Sequence, residues 1–209
     1  MTMDQPDRRQ SADGPAGGAP LRRRGKALET AIFEAALDQL TSGGFARMTM
    51  EGVAGAAQTG KAALYRRWAS KADLVMDALV AAMPPPTGIP DLGSAEAELR
   101  HVVQGYIVVL NSRLGAAVRT LMGELDHERA EFFKGFLHER VVEPTAAGIL
   151  GILRRGEARG DVRKGAAVST VADVMPAMLL YRAKFCGGVC DEEFGEELLG
   201  QVLLPMVRP

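Results

Sequence analysis

The stretch that most constrains the fold is residues 49–74, TMEGVAGAAQTGKAALYRRWASKADL. Thr49 precedes apolar residues at helical spacing, and its hydroxyl can accept a hydrogen bond from a free backbone N–H. The apolar pattern stops after Ala57 and resumes at Lys61. A serine-x-x-aspartate sequence that begins at Ser70 then has the pattern of a capping box. The stretch therefore predicts two short helices joined by a tight turn, followed by the start of another helix.

The second of these predicted helices, from about Lys61 to Trp68, is short and basic. Such a pair matches a helix-turn-helix, in which the second helix enters the major groove of DNA. An ordinary helical hairpin with a solvated basic face fits the periodicity equally well. In the first interpretation Leu64 and Trp68 belong to the core, while Lys61, Tyr65 and Arg66 face the solvent or DNA.

The order of residues favours the helix-turn-helix. The sequence KAALYRRW at residues 61–68, followed by SKADL at residues 70–74, resembles the DNA-binding signature of the TetR family of transcriptional regulators. The resemblance is close over about residues 26–80 and beyond them covers only the helical architecture. This chain departs from the family in the turn, where Gln58-Thr59-Gly60 replaces the usual glycine, hydrophobic residue and serine or threonine. A glutamine at positive φ costs about 1 kcal/mol, so we expect a remodelled turn.

The expected DNA contacts are basic, hydroxyl-bearing or small residues on and around the second helix. Lysine bonds guanine acceptors or phosphate, tyrosine usually bonds phosphate, and alanine can touch thymine methyl groups. Backbone amides at the start of the first helix of the pair can bind phosphate, and the family pattern adds a phosphate contact by the lysine after the capping serine. A run of three arginines is interpreted either as an arm on phosphates or the minor groove, or as solvated surface. The candidates are Lys61, Ala62, Ala63, Tyr65, Arg66, Lys71, Thr49, Arg22, Arg23 and Arg24.

Charge is distributed in a way that suits sequence-specific DNA binding. The net charge of the chain is −1, whereas residues 21–75 hold nine basic and five acidic side chains and carry +4. A modest basic patch on a near-neutral protein does not fit a general nucleic-acid coat. No apolar run reaches the ~18 residues that span a bilayer, and the first 20 residues lack the apolar centre of a secretory signal. We therefore expect a cytoplasmic protein.

The remaining pattern predicts an all-α fold, because apolar stripes recur at helical spacing and no strand-like alternation is present. Residues 1–20 are expected to form a disordered tail. A proline run at residues 84–86 marks the boundary between a helix-turn-helix DNA-binding domain, residues 21–83, and a helical effector-binding and dimerisation domain, residues 84–209. The two last helices are the most apolar. They are expected to pair two copies of the chain as a four-helix bundle or, alternatively, to close the core of one chain.

Individual residues predict several helix ends. Gly43-Gly44 is expected to stop the first helix, and Pro144 can open a later one at its first turn. Pro176 is expected to kink the helix that contains it. Asp191 is expected to cap the last helix, whose first turn is acidic.

The resemblance to the TetR family also implies a homodimer on a palindromic DNA operator, released by a small-molecule effector. Repression is the commoner mode of regulation in that family. Few charged residues interrupt the later helices, so we expect an apolar or weakly polar effector. Its pocket is predicted to be lined by Tyr106, Leu110, Met122, Met175 and Met178, although each of these is also a plausible core residue.

Two other classes of function compete with this interpretation. A helical metal-dependent enzyme is suggested by Glu124-x-x-His127, but di-iron bundles need two such motifs and further glutamates. No HExxH, GxSxG, Walker or GxGxxG pattern occurs, and we expect no cofactor or metal. Cys186 and Cys190 are interpreted as buried or incidental thiols in preference to a redox or metal pair. A helical module that binds protein and not DNA is the third alternative.

Overall fold

The computed structural model describes residues 25–83, 88–124, 127–185 and 190–209, with the side chains of residues 127–130 and 132 left out of that description. Every regular element in those ranges is helical, which confirms the all-α prediction. The helices of the amino-terminal part are α1 (Lys26–Arg47), α2 (Met50–Ala56), α3 (Lys61–Tyr65) and α4 (Lys71–Ala82). Those that follow are α5 (Ala95–Leu110), α6 (Arg113–Glu124), α7 (His127–Leu137), α8 (Glu143–Arg159), α9 (Ser169–Phe185), α10 (Glu192–Glu197) and α11 (Leu204–Val207).

The predicted caps begin their helices as expected. The Thr49 hydroxyl accepts a hydrogen bond from the N–H of Gly52 at 3.0 Å, which starts α2. At α4, the Ser70 hydroxyl accepts from the Asp73 N–H at 3.2 Å, and the Asp73 carboxylate accepts from the Ser70 N–H at 2.9 Å. This reciprocal pair is a capping box and satisfies two N–H groups that a helix start leaves free. The Asp191 carboxylate caps α10 in the same manner, accepting from the Phe194 N–H at 2.9 Å.

The helical backbone of α1 breaks at Gly44, as predicted for Gly43-Gly44, and a short further helical stretch carries the element to Arg47 across a kink. Gly44 has φ 81° and ψ 164°, outside the helical region and outside the left-handed conformation that ends helices. A Cβ at this position would overlap the Glu124 carboxylate of α6. The glycine therefore lets α1 bend and lets α6 approach its backbone closely, and the helix resumes after it.

Pro144 lies in the first turn of α8, as predicted, but the chain before it is also helical and runs without a break from α7 into α8. A π-helical segment, His138–Val142, joins the two. A proline ring clashes with the carbonyl four residues earlier and lacks an N–H donor, and a wider turn with i→i+5 hydrogen bonds relieves both problems. A second π-helical segment, Leu198–Leu203, precedes Pro205 in the same way and joins α10 to α11. Helix α9 runs through Pro176.

Buried apolar side chains form two clusters. The first cluster contains side chains of the four helices α1, α2, α3 and α4. Side chains of α6 and α7 complete it, among them Leu114, Ala117, Leu121 and Phe133. The second joins α5 with α8 to α11. Helix α6 thus packs on the amino-terminal helices, although the sequence-based boundary at residue 84 assigns it to the other domain. That boundary stays a prediction. None of the helices in the described ranges is both long and apolar enough to cross a bilayer.

Candidate nucleic-acid interface

The short helix α3 is fixed to the core by two residues that the sequence predicted to be buried. Leu64 is fully buried and Trp68 is 3% exposed. The indole Nε1 of Trp68 donates a hydrogen bond to Asp77 Oδ2 at 2.8 Å, and its ring meets Phe33 edge to face with centroids 5.7 Å apart. These contacts join the end of α3 to α1 and α4, so the orientation of α3 follows from the packing of the three helices.

The opposite side of α3 is open to the solvent. The Lys61 side chain is 64% exposed, Tyr65 is 48% exposed, and Arg66 is exposed as well. Ala62 is exposed and Ala63 is half-buried, so small side chains separate the polar ones. Within the described residues, this face presents two cations and a phenol without an apolar barrier around them.

Helix α3 ends earlier than predicted, at Tyr65 instead of Trp68. The N–H groups of Arg67 and Trp68 both donate to the Leu64 carbonyl at 2.9 Å. Two donors on one carbonyl tighten the chain into a turn, which carries Trp68 back into the core. Arg66 and Arg67 therefore lie on that turn, and we call residues 61–67 the recognition segment.

The turn between α2 and α3 does not avoid the strain at Gln58, although the sequence predicted that the turn would be remodelled. Gln58 has φ 55°, the one positive φ at a non-glycine residue in the described ranges. The chain is held there by hydrogen bonds from the Gln58 N–H to the Gly55 carbonyl at 3.1 Å and from the Thr59 N–H to the Ala54 carbonyl at 2.9 Å. The family's usual glycine would adopt this conformation without a Cβ penalty.

Replacing Gln58 with glycine is expected to raise the free energy of unfolding by about 0.5 kcal/mol. Relief of the left-handed conformation contributes about 1 kcal/mol, and the greater freedom of glycine in the unfolded chain offsets roughly half of it. Urea denaturation followed by circular dichroism measures the difference. Gln58→Ala is the control, because it removes the same side chain but keeps the Cβ, and it should not stabilise the protein.

Lys71, which is predicted to contact phosphate, lies against the end of α1 in the chain without DNA. Its ammonium donates to the carbonyl oxygens of Phe45 at 2.6 Å, Met48 at 3.1 Å and Ala46 at 3.3 Å, and it lies 4.6 Å from the centre of the Phe45 ring. An ammonium has three N–H donors, so these carbonyls use all of them. Lys71 therefore joins α4 to the end of α1, and its contact with phosphate stays a prediction.

Glu124 holds the same junction from the other side. Its carboxylate accepts a hydrogen bond from the Ala46 N–H at 3.1 Å. The carbonyls of the last turn of α1 and of Met48 after it thus accept hydrogen bonds from a lysine of α4, and the Ala46 N–H donates to a carboxylate of α6. The glutamate of the Glu124-x-x-His127 motif is engaged with the backbone, and no group of three potential metal-binding side chains lies together within the described residues.

The other predicted DNA contacts are distributed as follows. The Thr49 side chain is used as the cap of α2, and its own N–H lies 3.4 Å from Gln39 Oε1. Arg22, Arg23 and Arg24 lie outside the described residues. A phosphate contact by the start of α2 and an arginine arm before α1 stay predictions.

The five predicted effector-pocket residues are divided between the two apolar clusters and the surface. Met122 packs against the first cluster, whereas Tyr106, Leu110 and Met175 belong to the second. Met178 is 36% exposed on the surface of α9. The shared pocket stays a prediction, because an apolar side chain shows by its type that it will be buried, but not against which neighbours.

Tyr106 is the polar member of that set. Its hydroxyl is hydrogen-bonded to Thr145 Oγ1 and lies 3.3 Å from the Val141 carbonyl. Burial raises the pKa of the Tyr106 phenol, which the hydrogen bond with Thr145 partly opposes. The phenol is neutral at physiological pH and can both donate and accept a hydrogen bond.

Cys190 is buried, as the sequence analysis expected of a thiol without a functional role. Its Sγ lies 3.9 Å from the Leu179 carbonyl, and burial raises the pKa of the thiol. Cys186 lies outside the described residues.

Comparison with known proteins gives the class of this fold and site. The family profile described as bacterial regulatory proteins, tetR family, matches residues 32–78, and the profile of the tetracyclin repressor-like C-terminal domain matches residues 89–202. The chain is 30% identical to the DNA-binding transcriptional repressor TetR of Mycobacteroides abscessus over 192 residues, or 89% of this chain and 97% of the relative. It is 26% identical to the HTH-type transcriptional regulator YdeS of Bacillus subtilis over 180 residues, or 85% of this chain and 89% of that protein.

Solved structures show the same fold. A TetR-family transcriptional regulator from Mesorhizobium loti superimposes with a TM-score of 0.69 at 18% identity and covers 89% of this chain and 100% of its own. NalD, the secondary repressor of the MexAB-OprM multidrug efflux pump in Pseudomonas aeruginosa, gives a TM-score of 0.66 at 18% identity, covering 88% of this chain and 98% of its own. Fold and site together define a helix-turn-helix transcriptional regulator that binds DNA. The chain belongs to the TetR family.

Proposed function

We propose that this regulator binds a palindromic operator as a homodimer and places one recognition segment in the major groove of each half-site. The observation that carries the proposal is the two-sidedness of α3. Leu64 and Trp68 fix it to the core, while Lys61, Tyr65 and Arg66 remain exposed. A rigid, cationic, solvent-facing helix end is what direct reading of base edges requires.

The second copy is proposed to pack on α9 and on the helical run from α10 to α11. Helix α9 exposes Met178 at 36%, Tyr181 at 56% and Phe185 at 69%, and these side chains lie at positions i, i+3 and i+7 of one face. A stripe of large apolar side chains is unusual on a surface that remains in water. With a two-fold axis beside this stripe, the stripe of one copy packs against the same stripe of the second copy.

A small effector is proposed to bind within the second apolar cluster, near Tyr106. The Tyr106 hydroxyl and Thr145 form a polar pair among apolar neighbours that include Leu110 and Met175. A pocket with an apolar wall and one donor–acceptor group suits an apolar or weakly polar organic molecule. Such a molecule shifts the dimer between conformations only as far as its affinities for them differ.

We also propose repression as the mode of regulation, no catalytic activity, and a cytoplasmic location beside the chromosome. Repression is supported by the relative from Mycobacteroides abscessus, a DNA-binding transcriptional repressor. The absence of catalysis is supported by membership of a family of transcriptional regulators.

Recovery of genomic DNA bound to the full-length protein, followed by fluorescence anisotropy with the recovered sequence, tests the proposed function. Replacing Lys61 or Arg66 with alanine is expected to weaken operator binding about tenfold or more, because one contact to a base edge or phosphate contributes ~1–3 kcal/mol. Both substitutions are at exposed positions, so the variants should remain folded.

Lys134→Ala is the matched control. Lys134 is an exposed lysine on α7 that is paired with Glu131 at 2.6 Å, and its removal should leave operator affinity as it is. If Lys61→Ala and Arg66→Ala bound the recovered DNA as tightly as Lys134→Ala, the proposed site would be wrong. A protein that recovered no specific DNA would favour a protein-interaction module.

A further inference from the structure

Two arginines among the carboxy-terminal helices are half-buried without a carboxylate beside them. They are Arg119 of α6 and Arg182 of α9, and neither forms an ion pair within the described residues. Arg100 and Arg155 are half-buried as well, and each of these two pairs with a glutamate. Removing a cation from water is costly unless an anion or an acceptor compensates it. Arg119 and Arg182 therefore carry charge that the acidic side chains in the described ranges leave uncompensated.

Arg119 uses one of its donors within the chain. Its Nη1 donates to the Leu110 carbonyl, at the end of α5, at 2.5 Å. A guanidinium has five N–H donors in a planar fork, and Arg119 has no second acceptor among the described residues. A cap on the last turn of α5 thus accounts for one donor and leaves the rest of the fork for another molecule.

Arg182 has no hydrogen-bond acceptor in the described part of the chain. Its guanidinium carbon lies 4.1 Å from the centre of the Phe194 ring, and its Nε is buried without a hydrogen-bond partner. The ring face stabilises the charge, but it does not replace the oxygen acceptors that buried N–H groups nearly always have. This guanidinium is therefore short of an acceptor.

The two guanidiniums lie at one place in the fold. Asn111, at the end of α5, donates from its Nδ2 to the carbonyl of Cys190, just before α10, at 2.5 Å. The end of α5, which Arg119 contacts, thus meets the start of α10, on which Arg182 is stacked. In agreement, burial raises the pKa of the Cys190 thiol, and the charges of Arg182 and Arg119 both oppose that rise.

Apolar side chains connect this place with the Tyr106 hydroxyl. On α5, Leu110 follows Tyr106 by one helical turn on the same face. On α9, Met175 and Leu179 precede Arg182 by seven and three residues, again on one face. Leu110, Met175 and Leu179 all belong to the second apolar cluster. The two arginines therefore lie at the end of the apolar wall that is proposed to hold the effector.

We propose that Arg119 and Arg182 bind the carboxylate of the effector, which is an organic acid with an apolar body. The planar fork of a guanidinium matches a carboxylate, and hydrogen bonds between such charged groups are about twice as strong as neutral ones. The apolar neighbours favour an acid with a hydrocarbon body over an inorganic anion. This inference rests on the proposed effector site and adds an acidic group to the molecule that binds there.

Isothermal titration calorimetry of the full-length protein with two matched pairs of ligands tests the inference. Octanoate is compared with octanamide, and 4-phenylbutanoate with 4-phenylbutanamide, because each amide has nearly the shape of its acid but no charge. The wild-type protein is expected to bind at least one acid about tenfold more tightly than its amide. Arg119→Gln and Arg182→Gln are each expected to reduce this ratio to about twofold or less, because each removes one of the two cations.

Arg154→Gln is the matched control. Arg154 is an exposed arginine of α8 and forms no ion pair within the described residues. Its replacement removes the same charge away from the site, so the ratio should stay as it is in the wild type. Acid and amide are measured on every variant, so a partial loss of folded protein affects both titrations alike and leaves the ratio unchanged.

The outcomes separate the inference from the function beneath it. If the wild type bound the amides as tightly as the acids, or if Arg119→Gln and Arg182→Gln kept the ratio of Arg154→Gln, the inference alone would be overturned. Binding of none of the four compounds would overturn the proposed effector site as well, whereas operator binding is measured independently. An Arg182→Gln protein that became monomeric in light scattering at an unchanged ratio would assign Arg182 to the dimer contact instead. A fall in the ratio that is specific to Arg119 and Arg182 supports the inference.

Discussion

Replacing Trp68 with alanine is expected to lower the free energy of unfolding by about 3–5 kcal/mol and to abolish operator binding. Trp68 is 3% exposed, touches Phe33, and donates a hydrogen bond to Asp77. Its removal leaves a cavity at the point where α1, the end of α3 and α4 meet. For a chain of this size the loss corresponds to a fall of about 10 °C in the melting temperature, which differential scanning calorimetry measures.

Trp68→Phe is the control for this prediction. It keeps an aromatic ring beside Phe33 but loses the hydrogen bond with Asp77, at a cost of about 1 kcal/mol. Because Asp77 is exposed, water can replace the indole N–H. The phenylalanine variant should bind the operator nearly as well as the wild type at 25 °C. If the Trp68→Ala protein had the same melting temperature as the wild type, α3 would not be held in place by this residue.

Placing glutamate at Phe185 and Tyr181 together is expected to convert the dimer to a monomer. The two rings lie 5.6 Å apart, centroid to centroid, and both are mostly exposed in the single chain. Two carboxylates therefore cost the isolated chain little, but burying them against their symmetry mates costs several kcal/mol. Light scattering should give a mass near 22.3 kDa for the variant and twice that value for the wild type.

Loss of the dimer should also reduce operator affinity to the range of non-specific binding, ~10⁻⁴–10⁻⁶ M, since a single short helix reads only a few base pairs. Val108→Glu is the matched control, because Val108 is a 70% exposed apolar residue on α5. A control variant that dissociated while the α9 variant stayed dimeric would place the interface elsewhere.

The parts of the site that sequence predicted are those fixed by nearby residues. The Thr49 cap and the Ser70–Asp73 box depend on groups three residues apart. Burial of Leu64 and Trp68 follows from helical spacing, and the strain at Gln58 follows from its place in the turn. In each case the interacting groups lie within a few residues, so one stretch of sequence contains the information.

Contacts between residues that are far apart in the sequence could not be predicted from local patterns. Lys71 bonds a carbonyl 26 residues away, and Glu124 accepts from an amide 78 residues away. The sequence shows a lysine after a capping serine, but the course of the α1–α2 junction decides whether its ammonium meets carbonyls or phosphate. The ion pairs of Lys61 with Glu51 and of Arg67 with Glu29 were not predicted either, because a carboxylate on a neighbouring helix leaves no periodic signal in the sequence.

The two π-helical segments show a local signal that predicted only part of the structure around it. A proline in the first turn of a helix and a proline after a widened turn satisfy the same steric rule. Pro144 follows the π-helical segment His138–Val142 in one continuous helical run. A proline that starts a helix differs from one that follows a widened turn only in whether the residues before it are helical. The residues before Pro144 are helical, as are those after it.

Dimethyl sulfate footprinting of the bound operator tests most directly whether the recognition segment enters the major groove. The reagent methylates guanine N7, which faces the major groove, and adenine N3, which faces the minor groove. We predict that the wild-type protein protects guanine N7 in two tracts about one helical turn, ~34 Å, apart, and that Lys61→Ala weakens protection in both. Unprotected guanines in a fully bound operator, with protection confined to adenine N3, would contradict the account.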